Sequence, residues 1–251
     1  FTLYRICEHS LFVDPYVLVG LLKACSMLKD AEVGNIICHN VVKTRLLQED
    51  VFIGCALVDM YSKCGLLDQS CELFDILPIR DVVIWTALIS GCALYGYGRQ
   101  ALDSFQQMQI EGINANPTTF VCVLKACGNV KDINEGRNLH TEIEMNGMLK
   151  NNLFVGNALM DMYAKCSELQ EAHDVFEKLP NRDSVSWNTL IGSYVKHDFG
   201  EEALKYFARM QINGIPPNYI TFSWILSACS SVGVSRNGRE IHEEIERKGL
   251  L

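Results

Sequence analysis

Between residues 152 and 166 the apolar side chains fall at helical spacing. Phe154, Ala158, Met162 and Cys166 run at i, i+4, and Val155, Leu159 and Tyr163 form the adjoining row. A stripe this wide predicts a helix with one broad buried face rather than a strand. The chain has already written the same pattern 102 residues earlier, as Asp50-Val-Phe-Ile-Gly-Cys-Ala-Leu-Val-Asp-Met-Tyr-Ser-Lys-Cys64. The offset recurs: Asp81-Val-Val-Ile-Trp-Thr-Ala-Leu-Ile-Ser-Gly91 returns as Asp183-Ser-Val-Ser-Trp-Asn-Thr-Leu-Ile-Gly-Ser193. Leu21-Leu-Lys-Ala-Cys25, Val123-Leu-Lys-Ala-Cys127 and Ile225-Leu-Ser-Ala-Cys229 are three copies of one segment. A fixed period of this kind predicts stacked repeats that share a continuous core.

The chain then divides into helical hairpins at 15–50, 51–81, 82–116, 117–152, 153–183, 184–218 and 219–251, the last cut short. Unit lengths of 36, 31 and 35 residues rotate through the full cycle. Residues 1–14, with Leu3, Ile6 and Leu11 apolar, match the second helix of a truncated unit. In 153–183 the first helix is expected to end near Cys166. The second, from Glu168, turns Leu169, Ala172, Val175, Phe176 and Leu179 inward until Pro180 stops it, as Pro78 does one cycle earlier. Gly112 and Gly214 supply the C-terminal stop in the 35-residue units. The recurring Trp85/Trp187, Tyr61/Tyr163 and Phe74/Phe176 are expected in the core.

Composition changes this picture in three ways. A net charge of −8 argues against nonspecific nucleic-acid binding, which rests on Lys and Arg neutralising phosphates. Eleven cysteines with no C-x-x-C spacing argue against a zinc site, and Cys25/Cys127/Cys229 and Cys64/Cys166 recur at fixed repeat positions as small packing residues. No apolar run approaches membrane-spanning length, and neither a cofactor nor a small-molecule substrate is suggested. The first residue is Phe1 and the last unit lacks a polar capping helix, so the sequence reads as part of a longer protein.

The rotation of hairpin lengths, with the Gly-Asn-Ala-Leu-x-Asp-Met-Tyr-x-Lys-Cys, Leu-Lys-Ala-Cys and Trp-Asn/Thr-x-Leu-Ile signatures, closely resembles the plant PLS-class pentatricopeptide repeat proteins. The resemblance covers essentially the whole chain. It implies an all-α, right-handed superhelical solenoid of helix-turn-helix repeats. The function implied is reading of single-stranded organellar RNA at one base per repeat, with two or three side chains per unit. It further implies a mitochondrial or chloroplast location and the targeting part of a cytidine-to-uridine editing or RNA-processing factor. Accessory editing proteins bound by the long units are an additional implied partner.

By that resemblance the reading side chains are the fifth and last residues of each unit: Thr86 with Asn116, Asn157 with Asp183, and Asn188 with Asn218. Uracil and guanine place an N–H donor at the centre of the Watson–Crick edge, whereas cytosine and adenine place an acceptor nitrogen there. A carboxylate only accepts and an amide can donate. With the family preference of Thr for purines and Asn for pyrimidines, the pairs imply adenine, uracil and cytosine. Units 82–116 to 184–218 would then read A, any base, U, C from the 5′ side. Cys55 with Asp81 is too weak a pair to assign a base, and Val19 and Val121 cannot hydrogen-bond at all. Val83, Phe154 and Val185, each second in its unit, would sandwich bases, as would Phe52. Lys63, Lys165 and Lys196, each thirteenth, would meet phosphates or else complement a helix dipole. No catalytic residues are implied. His140-Thr-Glu142 has the H-x-E form of a zinc deaminase, but P-C-x-x-C is absent and His242-Glu-Glu244 repeats the motif one cycle later. The competing reading is a helical-repeat scaffold that binds a protein rather than RNA.

Overall fold

Aspartate or asparagine closes every unit but the one cut short, and in the computed structural model, which describes residues 14–43 and 46–232 without the side chains of 48 and 49, that residue starts the next helix. Asp14, Asp50, Asp81, Asn116, Asn152, Asp183 and Asn218 each accept a backbone N–H from the first turn that follows, at 2.8–3.3 Å. Such side-chain oxygens satisfy donors that have no partner inside the helix. The described residues are all helix and turn, with no strand.

The hairpins pair α1 (Pro15–Leu28) with α2 (Ala31–Lys43), α4 (Val51–Cys64) with α5 (Leu67–Ile76), and α6 (Val82–Leu94) with α7 (Gly98–Ile110). They continue with α8 (Pro117–Val130) and α9 (Ile133–Met145), α11 (Leu153–Lys165) and α12 (Leu169–Lys178), and α13 (Ser184–Lys196) and α14 (Gly200–Ile212), ending on α15 (Tyr219–Val232). The 31-residue units are short because their second helices have 10 residues where the others have 13. The 36-residue units carry an extra turn that the periodicity did not predict: α3 (Leu46–Glu49) and α10 (Met148–Asn151). The chain divides after Ala126 into two bodies. In the first, α4 packs on both α1 and α6; in the second, α13 packs on both α11 and α15. First helices therefore stack on first helices within each body.

The expected aromatic core is present in both bodies, with matching edge-on ring pairs. Phe74 meets Trp85 edge-on at 4.5 Å, and Phe176 meets Trp187 at 4.8 Å. Arg80 and Arg182 cover the two phenylalanines at 4.8 and 4.7 Å. Burying each aromatic contributes about 1.5–3 kcal/mol, with a smaller gain from ring geometry. Ala172, Val175, Phe176 and Leu179 are buried as expected, and Leu169 is half-buried. Gly112 and Gly214 lie at φ 74° and 72°, and the next residues close back onto Met108 and Met210 carbonyls, which ends α7 and α14.

One expectation needs correction. Phe154 does not join the buried face of α11: it is 78% exposed, because it points away from the side of the first turn that buries Val155, Gly156 and Asn157. The truncated helix of residues 1–14 lies outside the described residues but for Asp14, as do His242–Glu244 and the second helix of the last unit.

Gly54 and Gly156 occupy equivalent points where a leucine from the second helix presses on the first. An added Cβ would stand 2.6 Å from Leu77 Cδ2 and 2.5 Å from Leu179 Cδ2. Gly156→Ala is expected to destabilise the protein by about 1–3 kcal/mol through overpacking, despite alanine's better helix propensity. Denaturant unfolding monitored by circular dichroism measures it; a neutral or stabilising effect would contradict the close contact.

Candidate nucleic-acid interface

The second residue of each unit stands two places after the capping residue, where its side chain leaves the first turn outward. Phe52 is 75% exposed, Val83 56%, Phe154 78% and Val185 53%. Apolar side chains repeatedly exposed at one repeat position form a row along consecutive first helices within each body, and such rows mark binding surfaces. Tyr16 holds the same position in its unit and is 87% exposed; the sequence reading missed it although its place in the repeat gives the signal. Ile220 and Thr118 continue the series.

Three residues further along, the fifth side chain turns back toward the next hairpin. Asn188 is only 7% exposed, donates Nδ2–H to Asn218 Oδ1 at 3.2 Å, and accepts the Thr221 hydroxyl on Oδ1 at 2.7 Å. Thr86 bonds Thr119 Oγ1 at 2.7 Å, and Thr119 in turn lies 3.1 Å from Asn116 Oδ1. In both units the fifth and last residues are thus brought together, directly or through one hydroxyl. Asn157 is 9% exposed and its Oδ1 is buried without a hydrogen-bond partner. Ser186, at the repeat position of Thr119 and Thr221, bonds Asp183 Oδ1 instead, at 3.0 Å.

Capping fixes which atom of the last residue stays free. Asn218 Oδ1 accepts from the N–H groups of Ile220 and Thr221, and Asn116 Oδ1 from Thr119 N–H, so each amide is turned with Nδ2 away from the helix. Asp183 Oδ1 accepts Ser186 N–H and leaves Oδ2 free. The open group is therefore a donor in Asn116 and Asn218 and an acceptor in Asp183. Asp81 caps α6 in the same way, through Val83 and Ile84 N–H. Cys55 lies close enough to Asp81 and Asp59 that, with burial as the larger cause, its thiol is pushed up to about 12.

The three lysines are already engaged. Lys63 pairs with Asp59 at 2.7 Å, Lys165 with Asp161 at 2.9 Å and with Asn129 at 3.1 Å, and the Lys196 ammonium lies 5.3 Å from the Trp224 ring centre. Each stands in the last turn of a first helix, where a cation also complements the helix dipole. His140 packs between helices, with Nδ1 2.7 Å from the Tyr163 hydroxyl and Nε2 3.4 Å from Glu144; burial lowers its pKa. Among the described residues no group of three or more His, Cys, Asp or Glu side chains is placed to hold a metal ion.

A protein-family model described as the PPR repeat family matches residues 80–129 and 182–231, and one described as the PPR repeat matches 55–81 and 157–184. A chloroplastic pentatricopeptide repeat-containing protein of Arabidopsis thaliana is 37% identical over 232 residues, covering 92% of this chain and 37% of the relative. A mitochondrial one from the same plant is 35% identical over 239 residues, covering 95% of this chain and 23% of the relative. The chain thus spans about a third or less of the length of these two relatives. Among solved structures, the maize pentatricopeptide repeat protein PPR10 aligns over 96% of this chain and 40% of its own, with TM-score 0.54 and 20% identity, a likeness of fold.

Two outcomes follow from the site geometry. Asn218→Ala removes the cap of α15 and is expected to cost about 0.5–2 kcal/mol, whereas Asn218→Asp keeps an Oδ1 cap and stays within a few tenths; paired chemical denaturation curves decide it. At pH 8 Cys55 is expected to alkylate with iodoacetamide about a thousand-fold more slowly than an unperturbed thiol, since so little thiolate forms below its raised pKa. Peptide mapping by mass spectrometry reads the rate site by site, and rapid labelling of Cys55 would show that the thiol is not held down.

Proposed function

The chain belongs to the pentatricopeptide repeat family, and on that premise we propose that it binds single-stranded RNA sequence-selectively, one base per reading unit. The observation that carries this reading is the committed cap. With Oδ1 held by helix N–H groups, Asn116 and Asn218 have an N–H left to offer and Asp183 has an oxygen.

An N–H donor suits N1 of adenine or N3 of cytosine; an oxygen suits the N3–H of uracil. Together with Thr86, Asn157 and Asn188, the pairs select adenine, uracil and cytosine. Read from the 5′ side, units 82–116 to 184–218 take A, any base, U, C. Phe52, Val83, Phe154 and Val185 supply exposed apolar faces for the bases to stack on, and Tyr16 joins them. The unpartnered Asn157 Oδ1 adds a buried acceptor to the unit assigned to uracil.

Lys63, Lys165 and Lys196 meet phosphates in this reading, at the cost of exchanging their present partners. Phosphate attraction then contributes little to affinity, in keeping with the net charge of −8, and base contacts contribute most. The 36-, 31- and 35-residue rotation supports membership of the PLS class. In that setting the chain is the targeting module of an organellar cytidine-to-uridine editing or RNA-processing factor, with the chemistry carried by another segment or a partner. Relatives described as chloroplastic and mitochondrial support an organellar location. The long units, with Val19 and Val121 at the fifth position, adjust spacing and offer surface to accessory editing proteins.

Asn218→Asp is expected to move the preference of unit 184–218 from cytosine to uracil by about ten-fold, within the 1–3 kcal/mol that a well-formed base contact is worth. Fluorescence anisotropy with 12-nucleotide RNAs carrying A-N-U-C or A-N-U-U at the centre measures it. An unchanged preference would sink the base assignment, and absence of binding to every RNA would favour the protein-scaffold reading.

A further inference from the structure

The third residue of a unit is fully buried wherever a described unit precedes it, and its chemistry follows the fifth residue of that unit without exception. Where the preceding fifth residue is polar (Thr86, Asn157, Asn188), the third residue is a hydroxyl: Thr119, Ser186 and Thr221, all with no exposed surface. Where the preceding fifth residue is Val19, Cys55 or Val121, the third residue is Ile53, Ile84 or Val155, equally buried. The same packed place thus accepts an aliphatic or a hydroxyl side chain, and a hydroxyl stands there only when there is a polar side chain to hold.

We propose that Thr119 and Thr221 are positioning residues that latch the fifth side chain of the preceding unit and so set which of its atoms faces a bound base. The inference rests on the RNA-reading function proposed above. In the second body Thr221 donates its hydroxyl hydrogen to Asn188 Oδ1 at 2.7 Å. This fixes the amide with Nδ2 toward Asn218 Oδ1, at 3.2 Å, where two helix N–H groups also converge. The Thr221 oxygen itself accepts Asn218 N–H at 3.1 Å. Thr221 Oγ1 also lies 3.2 Å from Asn218 Oδ1, and turning the Asn188 amide over would lose the 2.7 Å bond and set the amide oxygen against Asn218 Oδ1, acceptor against acceptor.

In the first body Thr119 repeats the device. It bonds Thr86 Oγ1 at 2.7 Å and accepts Asn116 N–H at 3.2 Å. Thr86 also lies 2.6 Å from the Val82 carbonyl, so its hydroxyl is held from two sides. Ser186 differs: it bonds only the closing Asp183, at 3.0 Å, and Asn157 keeps an unpaired Oδ1. The latch is therefore closed in units 82–116 and 184–218 and open in 153–183, which makes Asn157 an internal comparison.

The test uses the 251-residue chain with Thr221→Val and Thr221→Ser, and the A-N-U-C, A-N-U-U and G-N-U-C 12-nucleotide RNAs. Thr221→Val is expected to reduce cytosine-over-uracil discrimination at unit 184–218 about 3- to 10-fold, the factor one ordinary hydrogen bond is worth, while A-over-G discrimination at unit 82–116 stays unchanged. Thr221→Ser, which retains the hydroxyl, is expected to keep most of the discrimination. Undiminished discrimination in Thr221→Val would overturn the latch. A second readout needs neither RNA nor the variant. Side-chain amide 15N relaxation of the wild-type protein is expected to show Asn188 as rigid and Asn157 as more mobile. Equal mobility of the two amides would overturn the proposal even if Thr221→Val failed to fold. Rigid Asn188 without RNA binding would keep the latch and remove the reading function instead.

Discussion

Every first helix of this chain begins on one carboxylate or carboxamide oxygen, and the repeat depends on that single bond being made the same way each time. The cap pairs N–H groups that the helix cannot satisfy internally, and so it fixes where the helix starts. A fixed start sets the register of everything downstream: the second residue outward, the third inward beneath the neighbouring unit, the fifth back against the closing residue. The aromatic pairs Phe74–Trp85 and Phe176–Trp187 then supply burial on a frame already in register. A capping residue that also faces a ligand joins stability to specificity, and aspartate and asparagine are the two residues that cap equally well while leaving opposite groups free.

Much of this was legible in the sequence because the period is exact to the residue. A 102-residue offset that returns Trp, Tyr, Phe and Cys to the same places identifies helices, core and repeat boundaries together. Single-helix periodicity was weaker evidence. It placed Phe154 in a buried stripe, since two adjoining apolar rows do not show which side of the first turn is packed: Val155 is buried there and Phe154 is not. Nor did it reveal α3 and α10, one-turn helices too short to show a period. The proposed reading residues come from family resemblance, not from their chemistry, and their surroundings were not legible. Nothing in the sequence singles out Thr119, Ser186 and Thr221, and only the fold shows them bonded to residues of the preceding unit.

The electrostatics are arranged for selectivity more than for strength. The lysines proposed to meet phosphates are held by Asp59, Asp161 and the Trp224 ring, and an acidic chain gains little from counterion release. In the proposed function, a small number of buried, oriented polar atoms would distinguish one RNA from another. In such surroundings a mismatched base leaves a donor or an acceptor unpaired, and an unpaired buried group costs more than a good hydrogen bond contributes.

The most direct measurement of whether the cap decides the base is the 15N resonance of cytosine N3 in an A-N-U-C RNA labelled at that nucleotide, recorded free and bound to the protein. A hydrogen bond donated by the free Nδ2 of Asn218 should move N3 upfield on binding, and the shift should vanish in Asn218→Asp. A bound RNA whose N3 resonance does not move, or moves equally with aspartate in place, would show that the base is chosen by something other than the atom the helix leaves free.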